Sequence, residues 1–309
     1  MVQPQAALPG LGRCAARLPG LAGRARRGDP GRPRGLRGHD QSVSESFFLP
    51  LDGPDGARFH ATVATTGPWF ADAQHAGPPT ALLVRALERC APQPDTQIGR
   101  ITVDVLGPIP AGEVTVRAAV ERPGRSVALL AAELSAGGRV VLRARAWRLA
   151  VADTADVATS PADGAAPPLP PPTEARLRTD LPPGWLPGFL DALEWRWLKG
   201  WLGDPGPGTV WGRQRVPLVA DEEPSPLQRL MLVADSANGA AAPLEIREWL
   251  FVNTELTIHL HRQPEGEWLA VDAQTTLGPS GVGTVAGLLF DEHGHIGRSA
   301  QCLTVRRRP

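Results

Sequence analysis

Along this chain, stretches in which apolar and polar positions alternate give way to a helical period and then return to alternation, and the whole succession occurs twice. Residues 47–51 and 58–66 are apolar extended runs flanking a turn rich in Gly, Pro and Asp at 52–56. Residues 193–202, with Trp195 and Trp197 on one face, and 209–218 flank a similar turn at 203–208. A period of two bounded by turn formers predicts a hairpin in each place. Leu82, Leu83, Ala86 and Leu87 then follow helical spacing within 78–90, as do Leu227, Leu230, Met231 and Ala234 within 226–237. Proline near the first turn of each helix gives up an N–H that would lack a helical partner anyway, and Ser225 is placed to cap the second.

Extended runs close both halves. They are 98–106, 113–121, 126–135 and 139–150 in the first, with turns at Pro123–Gly124 and Gly137–Gly138, and 249–261, 267–277, 283–291 and 295–306 in the second, with a turn at His293–Gly294. Gly112 and Gly266 hold equivalent places 154 residues apart, and Gly138 and Gly294 are 156 apart. A near-constant offset of this kind marks a duplication. One apolar-faced helix followed by an antiparallel meander implies a curved sheet wrapped around that helix, which is a hotdog unit of the α+β class. Two units imply a double hotdog, with two antiparallel sheets each wrapped around a long helix and merging into one extended sheet.

Composition sets the boundaries. Residues 1–40 carry eight arginines against Asp29 and Asp40, so 24 of the 32 basic and 30 of the 32 acidic side chains lie beyond them. That mildly acidic remainder argues against a nucleic-acid binder. The arm 1–44 has too few large apolar side chains to offset the entropy of ordering and reads as disordered. The Pro-rich residues 160–172 read as an extended linker within 153–184, leaving units at 45–152 and 185–309. No run approaches the roughly 18 apolar residues that cross a bilayer. Cys14, Cys90 and Cys302 form neither a disulfide framework nor a zinc-ligand spacing, so a reducing cytoplasm is the expected compartment, with no metal or organic cofactor and no membrane partner.

Several segments resemble acyl-CoA thioesterase II over nearly the whole chain, from about residue 46 to 307. His75-Ala76-Gly77-Pro78 resembles the small-residue start of the family's first helix. Val233-Ala234-Asp235-Ser236-Ala237-Asn238 resembles the helix end that bears its aspartate, Thr257-Ile258-His259-Leu260-His261-Arg262 its strand ending in His-Arg, and Ser299-Ala300-Gln301 its last strand with a catalytic glutamine. The resemblance implies hydrolysis of fatty acyl-CoA, a catalytic set of Asp235, Asn253 and Gln301 around one water, and assembly of two or more chains. Asn253 stands where the family has threonine; Thr254 is adjacent but alternation turns it to the opposite face.

The chemistry of these residue types is consistent with that set. A carboxylate at the end of a helix feels the negative pole of the dipole, which raises its pKa toward that of a general base. Amides at 253 and 301 can hold a water without competing for its proton. Gly77 N–H is a candidate oxyanion donor, His75 a candidate substrate contact, and Arg262 or Arg143 a candidate for CoA phosphates. The acyl tail is expected between sheet and helix, touching both helices. Each residue also has a plainer reading: Asp235 as a simple helix end, Gln301 as a solvent-facing strand residue, and Asn253 as one of a polar strand face with Glu255, Thr257, His259 and His261. Ser236 and Ser280 lack the strand-turn-helix setting of a nucleophile elbow, and residues 278–283 link strands instead of opening a helix, which removes the logic of a phosphate loop. Two other functions fit the same fold: an acyl-binding protein without turnover, and a dehydratase, whose His-Asp or His-Glu pair beside the helix is not evident in the sequence.

Overall fold

The structure is a computed structural model that describes residues 46–52, 56–159 and 166–308. The predicted disordered arm and residues 160–165 of the Pro-rich stretch lie outside the described residues. Strands β1 (Phe48–Pro50) and β2 (Arg58–Ala61) form the first hairpin, and α1 (Gly77–Arg89) follows. The first meander is β3 (Thr96–Val105), β4 (Gly112–Arg122), β5 (Val127–Ala136) and β6 (Arg139–Ala150). After the two-residue β7 (Arg176–Leu177) come β8 (Leu193–Trp201), β9 (Asp204–Gln214), α2 (Pro226–Asp235) and α3 (Ala237–Ala240). The chain ends with β10 (Trp249–Asn253), β11 (Glu255–Leu260), β12 (Trp268–Leu277), β13 (Val282–Asp291) and β14 (Gly294–Arg307).

All of these strands join one 14-stranded sheet, whose order runs β1-β2-β4-β5-β6-β3 and continues β11-β14-β13-β12-β9-β8-β7, with β10 paired to β14 off the main path. The second half repeats the first in reverse about the β3–β11 seam. At that seam Thr102 opposes Thr257, and their hydroxyls lie 3.1 Å apart. The two threonines are 155 residues apart (257 minus 102), inside the 154 to 156 read from the glycines, so a pseudo-twofold axis passes between them.

The helices pack on each other and on the sheet. α1 lies against β4, β5 and β6, whereas α2 and α3 lie against β9 and β12. The two long helices run antiparallel: Gly77, at the start of α1, abuts the backbone of Leu232 near the end of α2, while Glu88 near the end of α1 meets Ser225 and Gln228 at the start of α2. Leu82, Leu83, Val84 and Leu87 on one side and Leu230, Met231 and Leu232 on the other are fully buried, each contributing roughly 1.5–3 kcal/mol of apolar burial. Arg85 is buried as well and is met by a bidentate pair with Glu222, at 2.7 and 2.6 Å. Ser225 caps α2 as its sequence position predicts, its Oγ accepting from Gln228 N at 3.1 Å.

Three local details differ from the sequence reading. The second hairpin turns at Trp201–Asp204, so its Gly- and Pro-rich residues belong to β9. Residues 170–177 are more than a spacer: β7 pairs with β8, and Pro170 and Pro172 carbonyls accept from Trp211 Nε1 and Arg196 Nη1. The run 249–261 is two strands broken at Thr254. Among the described residues, no helix is long and apolar enough to cross a membrane.

Candidate active site

Asp235 is the last residue of α2 and is only 2% exposed. Asn253 Nδ2 donates to its Oδ1 at 2.8 Å, and His75 Nδ1 lies 3.1 Å from its Oδ2. Gln301, also buried, sends Nε2 to the backbone carbonyl of Asp235 at 3.1 Å instead of to the carboxylate. Its Oε1 is buried and has no hydrogen-bond partner among the described residues. The structure therefore brings Asp235, Asn253, Gln301 and His75 to one place.

The break at Thr254 makes this possible. β10 pairs Asn253 with Leu303, whereas β11 pairs Ile258 with Ser299, so the partner sums shift by one residue across the break. Thr254 absorbs the extra residue, as a bulge does, and turns its hydroxyl to Cys302 O at 3.2 Å. Ser299, Gln301 and Leu303 share one face of β14, so Asn253 lies on the same face as Ile258. Strict alternation from 253 to 261 had placed Asn253 with Glu255, Thr257, His259 and His261, and the inserted residue inverts that assignment. The prediction that Thr254 turns away from the site holds.

Burial lifts the Asp235 carboxyl to about 7, against the opposing pull of the Asn253 amide and the Gly77 N–H. The sequence pointed to the helix end as the source of this rise; loss of water around the carboxyl is the larger cause. Burial lowers the His75 imidazole to about 3. A neutral ring at neutral pH means that the His75–Asp235 contact is a shared hydrogen bond and not an ion pair. Gly77 N–H donates to His75 Nδ1 at 3.0 Å. Assigned from that geometry, Nδ1 presents a lone pair to Asp235, so the contact is best made when the carboxyl carries the proton. The ring is held flat against Phe189, with centroids 3.9 Å apart.

Two sequence-predicted residues do other work. Gly77 N–H is committed to His75 and Asp235, and the next two residues, Pro78 and Pro79, have no N–H, so Gly77 is not a free oxyanion donor. Arg262 lies nine residues beyond Asn253, past the far end of β11, with its two Nη atoms each 2.5 Å from an oxygen of the buried Asp291. Asp291 also accepts from Glu265 N and His293 N. This is a clamp on two turns, and it does not join the Asp235 cluster. Arg143 is paired to Glu133 at 2.9 Å.

Next to Asp235 opens an apolar pocket. His75, Ser236 and Asn238 line its inner wall, and Trp69, Trp185, Trp195, Trp197 and Trp201 line the rest with Leu193 and Val210. Five of the nine tryptophans in the chain meet here. Trp195 is wedged in place by its Nε1 donating to Leu190 O at 2.9 Å. The walls are β8, β9 and α3 together with residues 178–181, so the pocket lies between sheet and helix, but no residue of the long helices α1 and α2 lines it and the expected contact with both of them is not made. Trp195 and Trp197 stood out in the sequence as one face of a strand. Trp69, Trp185 and Arg178 lie in stretches without period, and nothing local predicts that they meet.

Residues 65–149 match the acyl-CoA thioesterase N-terminal domain, and residues 161–305 match the acyl-CoA thioesterase C-terminal domain. No curated protein sequence matches the chain. Among solved structures, a hot dog fold protein of unknown function from Alicyclobacillus acidocaldarius aligns with a TM-score of 0.64 at 16% identity, covering 86% of this chain and 98% of that one. An acyl-CoA thioesterase II, TesB2, from Mycobacterium marinum aligns with a TM-score of 0.56 at 16% identity, covering 80% and 96%. The tesB protein of Mycobacterium avium subs paratuberculosis gives 0.57 at 15%, covering 82% and 94%. At these identities the likeness is one of fold, the hotdog fold. The two domain matches together span most of the chain in the expected order, and the chain belongs to the acyl-CoA thioesterase family, carrying both its N-terminal and its C-terminal domain.

Proposed function

We propose that the protein hydrolyses acyl-CoA thioesters to the free acid and CoA, with Asp235 as general base. The observation that carries this reading is a buried carboxyl lifted to about 7 and tied to an amide and a neutral imidazole, behind an apolar pocket that the imidazole of His75 and the adjoining Ser236 line. In the ionised form Asp235 takes a proton from a water that Asn253 and the Oε1 of Gln301 orient. The hydroxide adds to the thioester carbonyl, and collapse of the adduct expels the CoA sulfur, which recovers the proton from Asp235. His75 steadies the proton on Asp235 between these steps, and the acyl tail lies among the tryptophans. The mirrored strand order and the helix packing support a double hotdog, with units at 45–152 and 185–309 joined by 153–184.

One observation favours a second reading, an acyl-binding protein without turnover: the Asn253 amide, standing where the family resemblance calls for threonine, donates to the carboxylate itself. Following free thiol with acyl-CoAs of several chain lengths separates the two. We expect thiol release whose rate rises with pH through about 7 as Asp235 ionises, falling by about 10² or more in Asp235→Asn, which keeps the volume and loses the base. Acyl-CoA binding with no thiol release would establish the second reading, and near wild-type release by Asp235→Asn would remove Asp235 from its role.

A further inference from the structure

The pseudo-twofold axis through Thr102 and Thr257 has a second end. The offset that superposes the halves carries Asn253 onto Ile98 and Gln301 onto Ala146, and Gly99 occupies the irregularity in β3 that corresponds to Thr254. Aligning the helices by Pro78 with Pro226 and Ala86 with Ala234 carries Asp235 onto Leu87. All three positions of the candidate catalytic set are apolar at the related place, so that place cannot activate a water in the same way.

It is nevertheless a pocket, and its chemistry is different. Leu87, Ile98 and Leu227 supply apolar wall, and Arg148, Glu88 and Gln93 line the same space. Arg148 is only 6% exposed. Its Nη1 donates to the carbonyls of Cys90 and Ala91 at the end of α1, at 3.0 and 2.7 Å, where the helix dipole favours a cation. Its Nε is buried and has no hydrogen-bond partner among the described residues. A buried donor left without a partner costs on the order of 1–3 kcal/mol, and among the described residues Arg148 is the one cation on the lining of this pocket. Both oxygens of Glu88 already accept, from Ser225 Oγ at 2.8 Å and from Gln228 Nε2 at 2.6 Å. No hydrogen bond or ion pair joins Glu88 to Arg148 among the described residues.

We propose that this pocket is a second, non-hydrolytic site for a small monocarboxylate, whose two oxygens meet the guanidinium edge of Arg148 and whose short alkyl body lies on Leu87, Ile98 and Leu227. The planar fork of an arginine matches a carboxylate. The apolar walls select a body over a bare ion, and Glu88 beside the site disfavours a dianion such as phosphate.

Isothermal titration of the full-length protein with butyrate, with inorganic phosphate as the contrasting probe, tests this. Arg148→Gln is expected to weaken butyrate by about tenfold or more. Gln93→Trp, at an exposed loop position on the pocket, obstructs the space without disturbing the bonds of Arg148 and is expected to do the same. In the Asp235→Asn background the losses caused by Arg148→Gln and Gln93→Trp are expected to persist, which keeps the result independent of whether the protein hydrolyses thioesters. Butyrate affinity that survives Gln93→Trp, losses that vanish in the Asp235→Asn background, or binding matched by phosphate would overturn the proposal.

Discussion

Loss of water raises the titration of a buried carboxyl group and lowers that of a buried imidazole, and stability should record both. In the folded protein Asp235 titrates at about 7, well above its ordinary value of 3.8, so the stability it contributes is full below that ordinary value and is lost as pH rises through about 7. His75 titrates at about 3 instead of 6.5, so its contribution is present above 6.5 and is lost as pH falls through about 3. The two slopes oppose each other between about 4 and 6.5. Asp235→Asn removes the first slope and keeps the hydrogen bonds, because an amide at this position resembles the protonated acid. Urea unfolding of the variant and the wild type should show the variant more stable by about 2–4 kcal/mol at pH 8 and by much less at pH 5; equal differences at both values would mean that Asp235 does not carry its charge into the folded state. Asp235, Asn253 and Gln301 were readable as candidates because each sits in a recognisable local segment. The pairing of His75 with Asp235 was not, since 160 residues separate them and neither segment shows its neighbour.

The strands and helices were largely legible because their periods are local. α1 and α2 fall within a residue or two of their predicted ends, and β6 matches its predicted range. The failures have a common cause. A bulge at Thr254 adds one residue without altering the alternation of side-chain types, so the sequence reads as one strand while the register places Asn253 on the inner face. The Gly-rich 203–208 likewise reads as a turn, yet Gly208 lies in β9, paired with Ala273 of β12, and α3 crosses it closely. A Cβ at Gly208 would come within 2.0 Å of Ala240 O, a backbone atom that cannot swing aside. Gly208→Ala should therefore shift α3 on the wall of the tryptophan pocket, lowering the urea midpoint by the equivalent of about 1–3 kcal/mol and raising KM for acyl-CoA. An unchanged midpoint and KM would show that the contact yields without consequence.

At the scale of the whole molecule, one sheet runs through both halves, and the Asp235 cluster takes His75 from the first half and Asp235 from the second. Ile101 and Ile258 face each other across the β3–β11 seam, and both are fully buried. Ile101→Ala should cost about 2–5 kcal/mol and shift a single unfolding transition, with activity lost along the same denaturant curve even though the candidate catalytic set lies in the other half. Two separate transitions would mean that the halves fold independently.

The repeat is legible in the glycine spacing, and the antiparallel seam at Thr102 and Thr257 carries the same offset. Alternation, helical period, caps and turn formers act over a few residues, so the chain by itself determined the kinds of element, their order and their repetition. Three outcomes were decided by tertiary structure: which face Asn253 takes, that five tryptophans converge beside Asp235, and that Arg262 clamps Asp291 far from the cluster. Each of these depends on strand register and on the removal of water, and both are set by contacts between segments far apart in the chain.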